Sequence, residues 1–340
     1  MAGDRSIPIS VLDWAPVRAG ETPREALQQA VDLARHVETL GFKRFWLAEH
    51  HGAAIVASAA TSVVIGHIAG QTSTLRVGSG GIMLPNHPPL MVAEQFGTLA
   101  ALYPGRIDLG LGRASGTAPG DEATLRALRQ RPDARDRFPA DVRELQSYFG
   151  EAGSAQGVRA APGADVDVPV WLLGSSGFSA GEAAALGLPF AFAAHIAPAA
   201  LDAAVRIYRS GFRPSAALAR PHLMVSALIV AAETDRAARR LMTSIQQAAI
   251  ALLRGRPSWL PPPTDDPMAF ADPDDQALLQ RMMPYAIVGS RETVRDGIEA
   301  LIARTDADEL AILSFVHDQE ARRRSFDIVA GVRAWAAPAG

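Results

Sequence analysis

A closed (β/α)8 barrel, an α/β TIM barrel, is the fold the sequence predicts, on three observations. Eight short apolar segments alternate with helical segments along 340 residues, the pattern of strands and helices that closes a parallel barrel. The first three segments read as strand, helix, strand, a βαβ unit. The first strand is followed by Asp13-Trp14-Ala15-Pro16, not by the glycine-rich turn that opens a doubly wound sheet, which also usually has fewer strands. A chain of this length fits one large barrel or two modest domains, and the unbroken alternation favours one barrel spanning 1–340.

Ile7–Val11 alternates as the first strand. Thr22-Pro23-Arg24-Glu25 then supplies an N-cap, a proline at the first helical position and the glutamate of a capping box. Ala26, Ala30, Leu33, Ala34, Val37 and Leu40 recur at three- and four-residue spacing, and Gly41 stands where a left-handed C-cap is wanted. Phe45–Ala48 is the second strand. A helix near 58–71, a strand over 75–80, a helix over 89–102 and a strand over 107–112 follow, then a long loop rich in glycine, proline and arginine. After it come helix 140–149, strand 168–173, helix 179–186, strand 190–193, helix 199–210, strand 223–230 and helix 236–253. Helix 292–303, strand 309–314 and helix 322–334 complete the alternation. Residues 255–283, with Pro261-Pro262-Pro263 and Asp265-Asp266, are no core element and read as an insertion or mobile flap between strands seven and eight.

Hydrophobic residues make up 48% and charged residues 20%, with 29 glycines and 24 prolines, which excludes disorder and collagen. A net charge of −3 without basic runs interleaved with aromatics gives no footprint for nucleic acid. Arg322-Arg323-Arg324, at the expected start of the last helix, reads as a solvated face. There is no cysteine, so disulfides, thiolate metal sites and cysteine nucleophiles are all excluded. The segment Met1 to Ile7 has no apolar secretory core, and the apolar run Ala53 to Gly70 is broken by Ser58, Thr61, Ser62 and His67. Both point to a cytoplasmic protein without a membrane segment. Lys43 is the single lysine, so no Walker motif occurs, and no G-x-S-x-G elbow is present.

In such a barrel the active site is built at the strand C-termini. Glu49-His50-His51, after the second strand, suits general acid/base work near neutral pH, a metal, or a plain structural turn. Ser79-Gly80-Gly81, after the third, either admits a flat ring close to the backbone or is a tight turn. Arg113, after the fourth, can pair with a phosphate or carboxylate, or form a surface ion pair. Gly174-Ser175-Ser176-Gly177-Phe178-Ser179, after the fifth, opens a helix whose N-terminus suits an anion, although Ser175 and Ser179 would also serve as caps.

Taken in order, the stretches Gly41 to His51, Gly78 to Pro85, Ala93-Glu94-Gln95-Phe96 and Pro104 to Arg113 resemble the bacterial luciferase-like family of flavin-dependent monooxygenases. The resemblance continues through Leu172 to Pro189 and more faintly through Ile287 to Ser290, and is weakest over 117–137, 151–165 and 255–283. It implies a barrel holding reduced FMN, or in some relatives the deazaflavin F420. It implies a catalytic role for His50 with His51 beside it, and a non-proline cis peptide at Gly80-Gly81 under the ring, in a turn that includes Ser79. It also implies a flavin-phosphate site of Arg113, Ser175, Ser176, the Phe178 N–H and Ser179, with no metal. Gly112 stands where bacterial luciferase itself has a reactive cysteine, which points away from luminescence and toward a general oxygenase.

The implied reaction takes reduced FMN from a separate flavin reductase, forms a C4a-peroxyflavin with O2, and oxygenates a small organic substrate, in a homodimer as is common in the family. The cofactor carries the hard chemistry while the protein anchors the phosphate, excludes water and positions the substrate. The rivals are an F420-dependent hydride-transfer enzyme, a flavin-binding protein without catalysis, and a metal hydrolase built on Glu49-His50-His51. Substrate-lining residues are expected from the loop after strand four, the end of strand seven and the 255–283 insertion.

Overall fold

The computed structural model describes residues 7–333 apart from 119, 151–153, 156, 165 and 257. Residues 1–6, on which the reading of the N-terminus partly rests, and Ala334, the expected end of the last helix, lie outside the described residues. Along the chain run β1 (Ile9–Asp13), α1 (Pro23–Thr39), β2 (Arg44–Leu47), α2 (Thr61–Ala69), β3 (Arg76–Ser79), β4 (Ile82–Met83), α3 (Pro89–Leu102) and β5 (Ile107–Gly112). Then come α4 (Glu122–Ala127), α5 (Ala134–Phe149), β6 (Ser154–Ala155), β7 (Val158–Arg159), β8 (Val170–Gly174), α6 (Gly177–Leu186), β9 (Phe190–Phe192) and α7 (Leu201–Gly211). The remainder is β10 (Leu223–Ala231), α8 (Asp235–Leu253), α9 (Pro273–Met282), β11 (Ile287–Gly289), α10 (Arg291–Thr305), β12 (Glu309–Leu313) and α11 (Gln319–Arg333).

Strands β1, β2, β3, β5, β8, β9, β10 and β12 pair in parallel in that order, and β12 returns to β1, so the sheet closes as the expected barrel. The alternation of strand side chains puts one apolar set between sheet and helices and another inside the barrel. Inside, large and small residues complement one another across strands. Trp46 is in register with Gly78, which faces Asp108, and Gly110 is in register with Trp171. A Cβ on Gly78 would stand 2.4 Å from the Asp108 carbonyl oxygen, so glycine is what lets β3 lie this close against β5, and the two indoles meet edge to face at 5.1 Å.

Beneath the indoles the barrel is closed by ions. Arg44 donates to Glu309 at 2.9 Å and to Asp108 at 2.6 Å, Arg76 reaches Asp108 at 2.6 Å, and the Trp46 indole N–H donates to the same carboxylate at 3.1 Å. Burial would raise the Glu309 carboxyl, but His222 and the charges of Arg44 and Lys43 hold it down at about 2. Dense pairing is what lets such groups stay charged in an interior.

The Thr22–Glu25 capping box forms as expected, and Gly41 adopts a φ of +72°. Four expectations are corrected. Helix α5 begins at Ala134, not 140, and runs through Pro139, because Phe138 and Ala134 are buried and their packing outweighs one lost backbone bond. Arg322 is no part of a solvated face: α11 starts three residues earlier, which turns Arg322 inward to donate to Asp13 at 2.6 Å, while Arg323 and Arg324 stay at the surface. The segment 255–283 does separate barrel strands seven and eight, but it carries α9. Leu260, fully buried, exchanges backbone hydrogen bonds with Val17 and Ala19, and Ala271 and Leu279 pack on Ile250. The short strand β11 and the β6–β7 hairpin are too brief to show a period and were not expected. Among the described residues no helix is long and apolar enough to cross a membrane.

Candidate active site

A cavity of about 270 Å³ opens at the C-terminal ends of the barrel strands. Its floor is the Gly80-Gly81 turn, whose peptide is cis, as the resemblance implies. A Cβ on Gly81 would come within 2.7 Å of the Gly110 carbonyl, which is backbone and leaves no room for a side chain, whereas one on Gly80 would come within 2.5 Å of the end of the Leu12 side chain, which would have to move. Ser79 is fully buried and does not line the cavity. Its hydroxyl donates to the Gly110 carbonyl at 2.8 Å and accepts from the Gly110 N–H at 3.0 Å, locking β3 to β5 beneath the floor.

His50 lines one wall, stacked on Trp14 with ring centroids 4.2 Å apart. Burial, reinforced by His51 and opposed by Glu49, lowers its imidazole to about 4. The ring is therefore neutral at physiological pH, where the sequence suggested a group titrating near neutrality. Nδ1 is buried without a partner, which leaves Nε2 for the cavity. His51 does not line the cavity: its Nε2 lies 2.8 Å from Glu49 Oε1, an atom shared with His87 at 2.9 Å and the Asn86 amide at 3.2 Å. Oε2 accepts from the Met83 N–H at 3.0 Å. Burial would raise Glu49, yet these bonds bring it down to about 2. Glu49 and His51 thus clamp the turn that carries His50, and neither points into the pocket.

At the other end lie Ser175, Ser176 and Ser179, around the start of α6. Ser176 occupies the N-cap position without a side-chain cap bond, so the N–H groups of the first turn, Phe178 included, have no cap and face outward as anion donors. The Phe178 side chain is half-exposed and lies under the Arg113 guanidinium, 3.9 Å from the ring centroid. Arg113 lines the cavity, and so does Arg135 from the first turn of α5. Neither has a carboxylate partner among the described residues. The sequence pointed to Arg113 and missed Arg135, which became visible only once α5 was seen to begin before Pro139.

Among the other wall residues that were missed are Trp14, His195 and Ser226. Trp14 and His195 stand directly after β1 and after β9, where the strand-end rule applied to every strand would have found them. Ser226 is an inward polar residue in an otherwise apolar strand, and its hydroxyl lies 2.7 Å from His195 Nδ1. Burial and the nearby His50 lower His195 to about 3. The loop after strand four contributes Arg113 and Ala114, with Arg135 following from α5, and strand seven contributes Met224 and Ser226 from its first half, not its end. No described residue of 255–283 is in the lining.

A closed parallel barrel with one polar-ended, apolar-walled cavity over its strand C-termini defines a (β/α)8-barrel enzyme. The sequence model of the luciferase-like monooxygenases matches residues 8–309, and the chain belongs to that family. It is 48% identical over 331 residues to a luciferase-like monooxygenase of Escherichia coli, covering 97% of this chain and 98% of that one. It is 35% identical over 256 residues to the N-acetyl-S-alkylcysteine monooxygenase of Bacillus subtilis, covering 74% and 75%. The apo structure of MsnO8 superposes with a TM-score of 0.85 at 34% identity, covering 96% and 98%. Barrels of the same fold at 17% and 16% identity include the oxygenating constituent of 3,6-diketocamphane monooxygenase in complex with FMN and an F420-dependent secondary alcohol dehydrogenase, each with a TM-score of 0.68 and 96% of this chain covered.

Proposed function

We propose that this protein is a monooxygenase that takes reduced FMN from a separate flavin reductase and uses O2 to oxygenate a small organic substrate. The observation that carries the reading is the opposition, across one cavity, of a flat glycine floor and an anion end made of Arg113, Arg135 and the uncapped α6 N-terminus. A ring with a phosphate tail fits that arrangement. Two unpaired guanidiniums and a helix N-terminus suit the dianion of a phosphate monoester such as the FMN tail.

Reduced flavin, when bound, supplies the electrons and the site at which oxygen is activated. The chain's residues do the rest. Arg113, Arg135, Ser175, Ser176, Ser179 and the Phe178 N–H hold the phosphate, and Gly80-Gly81 lets the ring lie against backbone. Leu12, Trp14, Trp46, Leu173 and Met224 keep water from the reacting end. His50, neutral, takes a proton or accepts a hydrogen bond at Nε2. His51 orients it through Glu49. A thioether such as the named Bacillus relative acts on is one substrate class to include in a screen.

We propose that the chain forms a homodimer through the α2–α3 face, where Val63, Met91 and Leu102 are 71%, 51% and 64% exposed. The reading is tested by titrating FMN, oxidised and reduced, and F420 into the protein, then following oxygen uptake with a flavin reductase and NADH. Binding of FMN with substrate-dependent oxygen uptake is expected. Binding of F420 alone, or of no flavin, overturns it.

A further inference from the structure

Within a cavity wall of Leu12, Trp46, Ala191, Phe192 and Met224, His195 and Ser226 form one polar pair. The Ser226 hydroxyl lies 3.2 Å from the Phe192 carbonyl oxygen and 2.7 Å from His195 Nδ1. With the hydroxyl donating its one proton to the Phe192 carbonyl, its oxygen accepts from Nδ1–H. That fixes the tautomer. In the neutral ring, which burial and His50 enforce by lowering the imidazole to about 3, Nε2 carries a lone pair. No N–H or O–H of the described residues bonds Nε2, and His195 lines the cavity. The apolar wall therefore displays one oriented acceptor.

We propose that His195 Nε2 is a substrate-positioning acceptor, tuned by Ser226, that selects substrates joining an apolar body to an O–H or N–H donor, such as a phenol, an alcohol or an amide. The inference rests on the catalytic reading of this cavity and goes beyond it by naming the substrate class. A substrate with a methyl group in place of the donor leaves the lone pair desolvated and unpaired, and sites of this kind reject such analogues for that reason.

The probes are 4-ethylphenol and the near-isosteric 4-ethyltoluene, titrated by calorimetry and by perturbation of the visible flavin spectrum into full-length protein loaded with FMN. His195→Phe is expected to weaken 4-ethylphenol about tenfold and to leave 4-ethyltoluene and FMN within about twofold. Ser226→Ala, which unpins the tautomer, should weaken 4-ethylphenol by a smaller factor, and His195→Gln, which keeps an acceptor, should recover part of the loss. A merely structural role would move both probes together, so equal losses overturn the proposal, as does unchanged 4-ethylphenol binding. A tenfold loss of FMN itself in His195→Phe also overturns it, since the acceptor then serves the cofactor. If the wild type takes up no FMN, the cofactor reading fails separately, and the same pair titrated into flavin-free protein still decides this one: selective loss of 4-ethylphenol supports it, and equal behaviour or no binding of either probe overturns it.

Discussion

The Trp14 indole lies against the His50 imidazole, with centroids 4.2 Å apart and planes 27° from parallel, and is itself braced edge-on by Phe315 at 5.3 Å. The stack takes one face of the imidazole out of water, and burial is the leading cause of its lowering to about 4. Trp14→Ala readmits water to that face, so the charged imidazolium becomes less costly. If turnover needs neutral His50, the acid limb of its pH profile should move from near 4 toward 6.5 in the variant, by a unit or more. A limb that stays in place would show that the other walls, and not the stack, set the protonation of His50.

The anion end makes a separable prediction. Arg113→Ala and Arg135→Ala each remove a charged donor from the phosphate but touch nothing that a bare ring requires. Charge-assisted bonds of this kind contribute about 1.5–3 kcal/mol, which is roughly a 10- to 150-fold loss of FMN affinity. Riboflavin, which lacks the phosphate, should bind wild type and variants alike. Equal losses for both ligands would place the arginines against the ring or the protein instead of the tail.

Two neighbouring glycines should respond differently to alanine. A Cβ at Gly81 meets the Gly110 carbonyl at 2.7 Å, and backbone within a barrel strand cannot yield. At Gly112 the new atom meets the Met83 sulfur at 2.9 Å, the far end of a flexible chain. Gly81→Ala should cost about 1–3 kcal/mol in urea unfolding, and Gly112→Ala under about 1 kcal/mol. The second variant should still narrow the cavity beside Met83, so bulky probes should lose affinity while stability holds. Comparable destabilisation of the two would mean that the floor is softer than its contacts indicate.

The barrel was legible because the signals that specify it are local and repeated. The Thr22–Glu25 box, the helical spacing from Ala26 to Leu40 and eight apolar strands each announce an element without reference to the rest. The chemistry at strand ends was legible for the same reason, since His50, Gly80, Gly81, Arg113 and the serines of α6 directly follow strands. What stayed hidden depends on packing between distant segments. Nothing near Ser79 in sequence says that its hydroxyl is spent on Gly110, nor that His51 turns to a carboxylate two residues back while His87 arrives from another loop. Arg322 looked solvated because its partner, Asp13, lies 309 positions away. Arg135 was lost because its surroundings read as a loop rich in glycine, proline and arginine, whereas the burial of Phe138 carries α5 back past Pro139.

The two cavity imidazoles also set a pH dependence of stability whose sign follows from the direction of their shifts. His50 and His195 stand at about 4 and about 3 in the folded protein, against about 6.5 in an unfolded chain. Between these values the unfolded chain binds protons that the folded one refuses, so stability rises with pH there. It is complete above about 6.5 and is lost progressively as pH falls toward 4 and 3, by up to about 1.4 kcal/mol per pH unit for each ring. His317, also lowered by burial, acts in the same direction. The carboxylates Glu49 and Glu309, held at about 2, behave otherwise: their contribution is intact above about 4.5 and fades only below it. Between pH 5 and 6.5 these imidazoles thus titrate while those two carboxylates stay silent. Urea unfolding across that window should show a clear loss toward acid in the wild type and a flatter profile in a His50→Gln, His195→Gln double variant, with the two curves nearest at low pH. A double variant that keeps the wild-type slope would assign the acid sensitivity to other groups and remove the basis for treating both rings as neutral in the folded cavity.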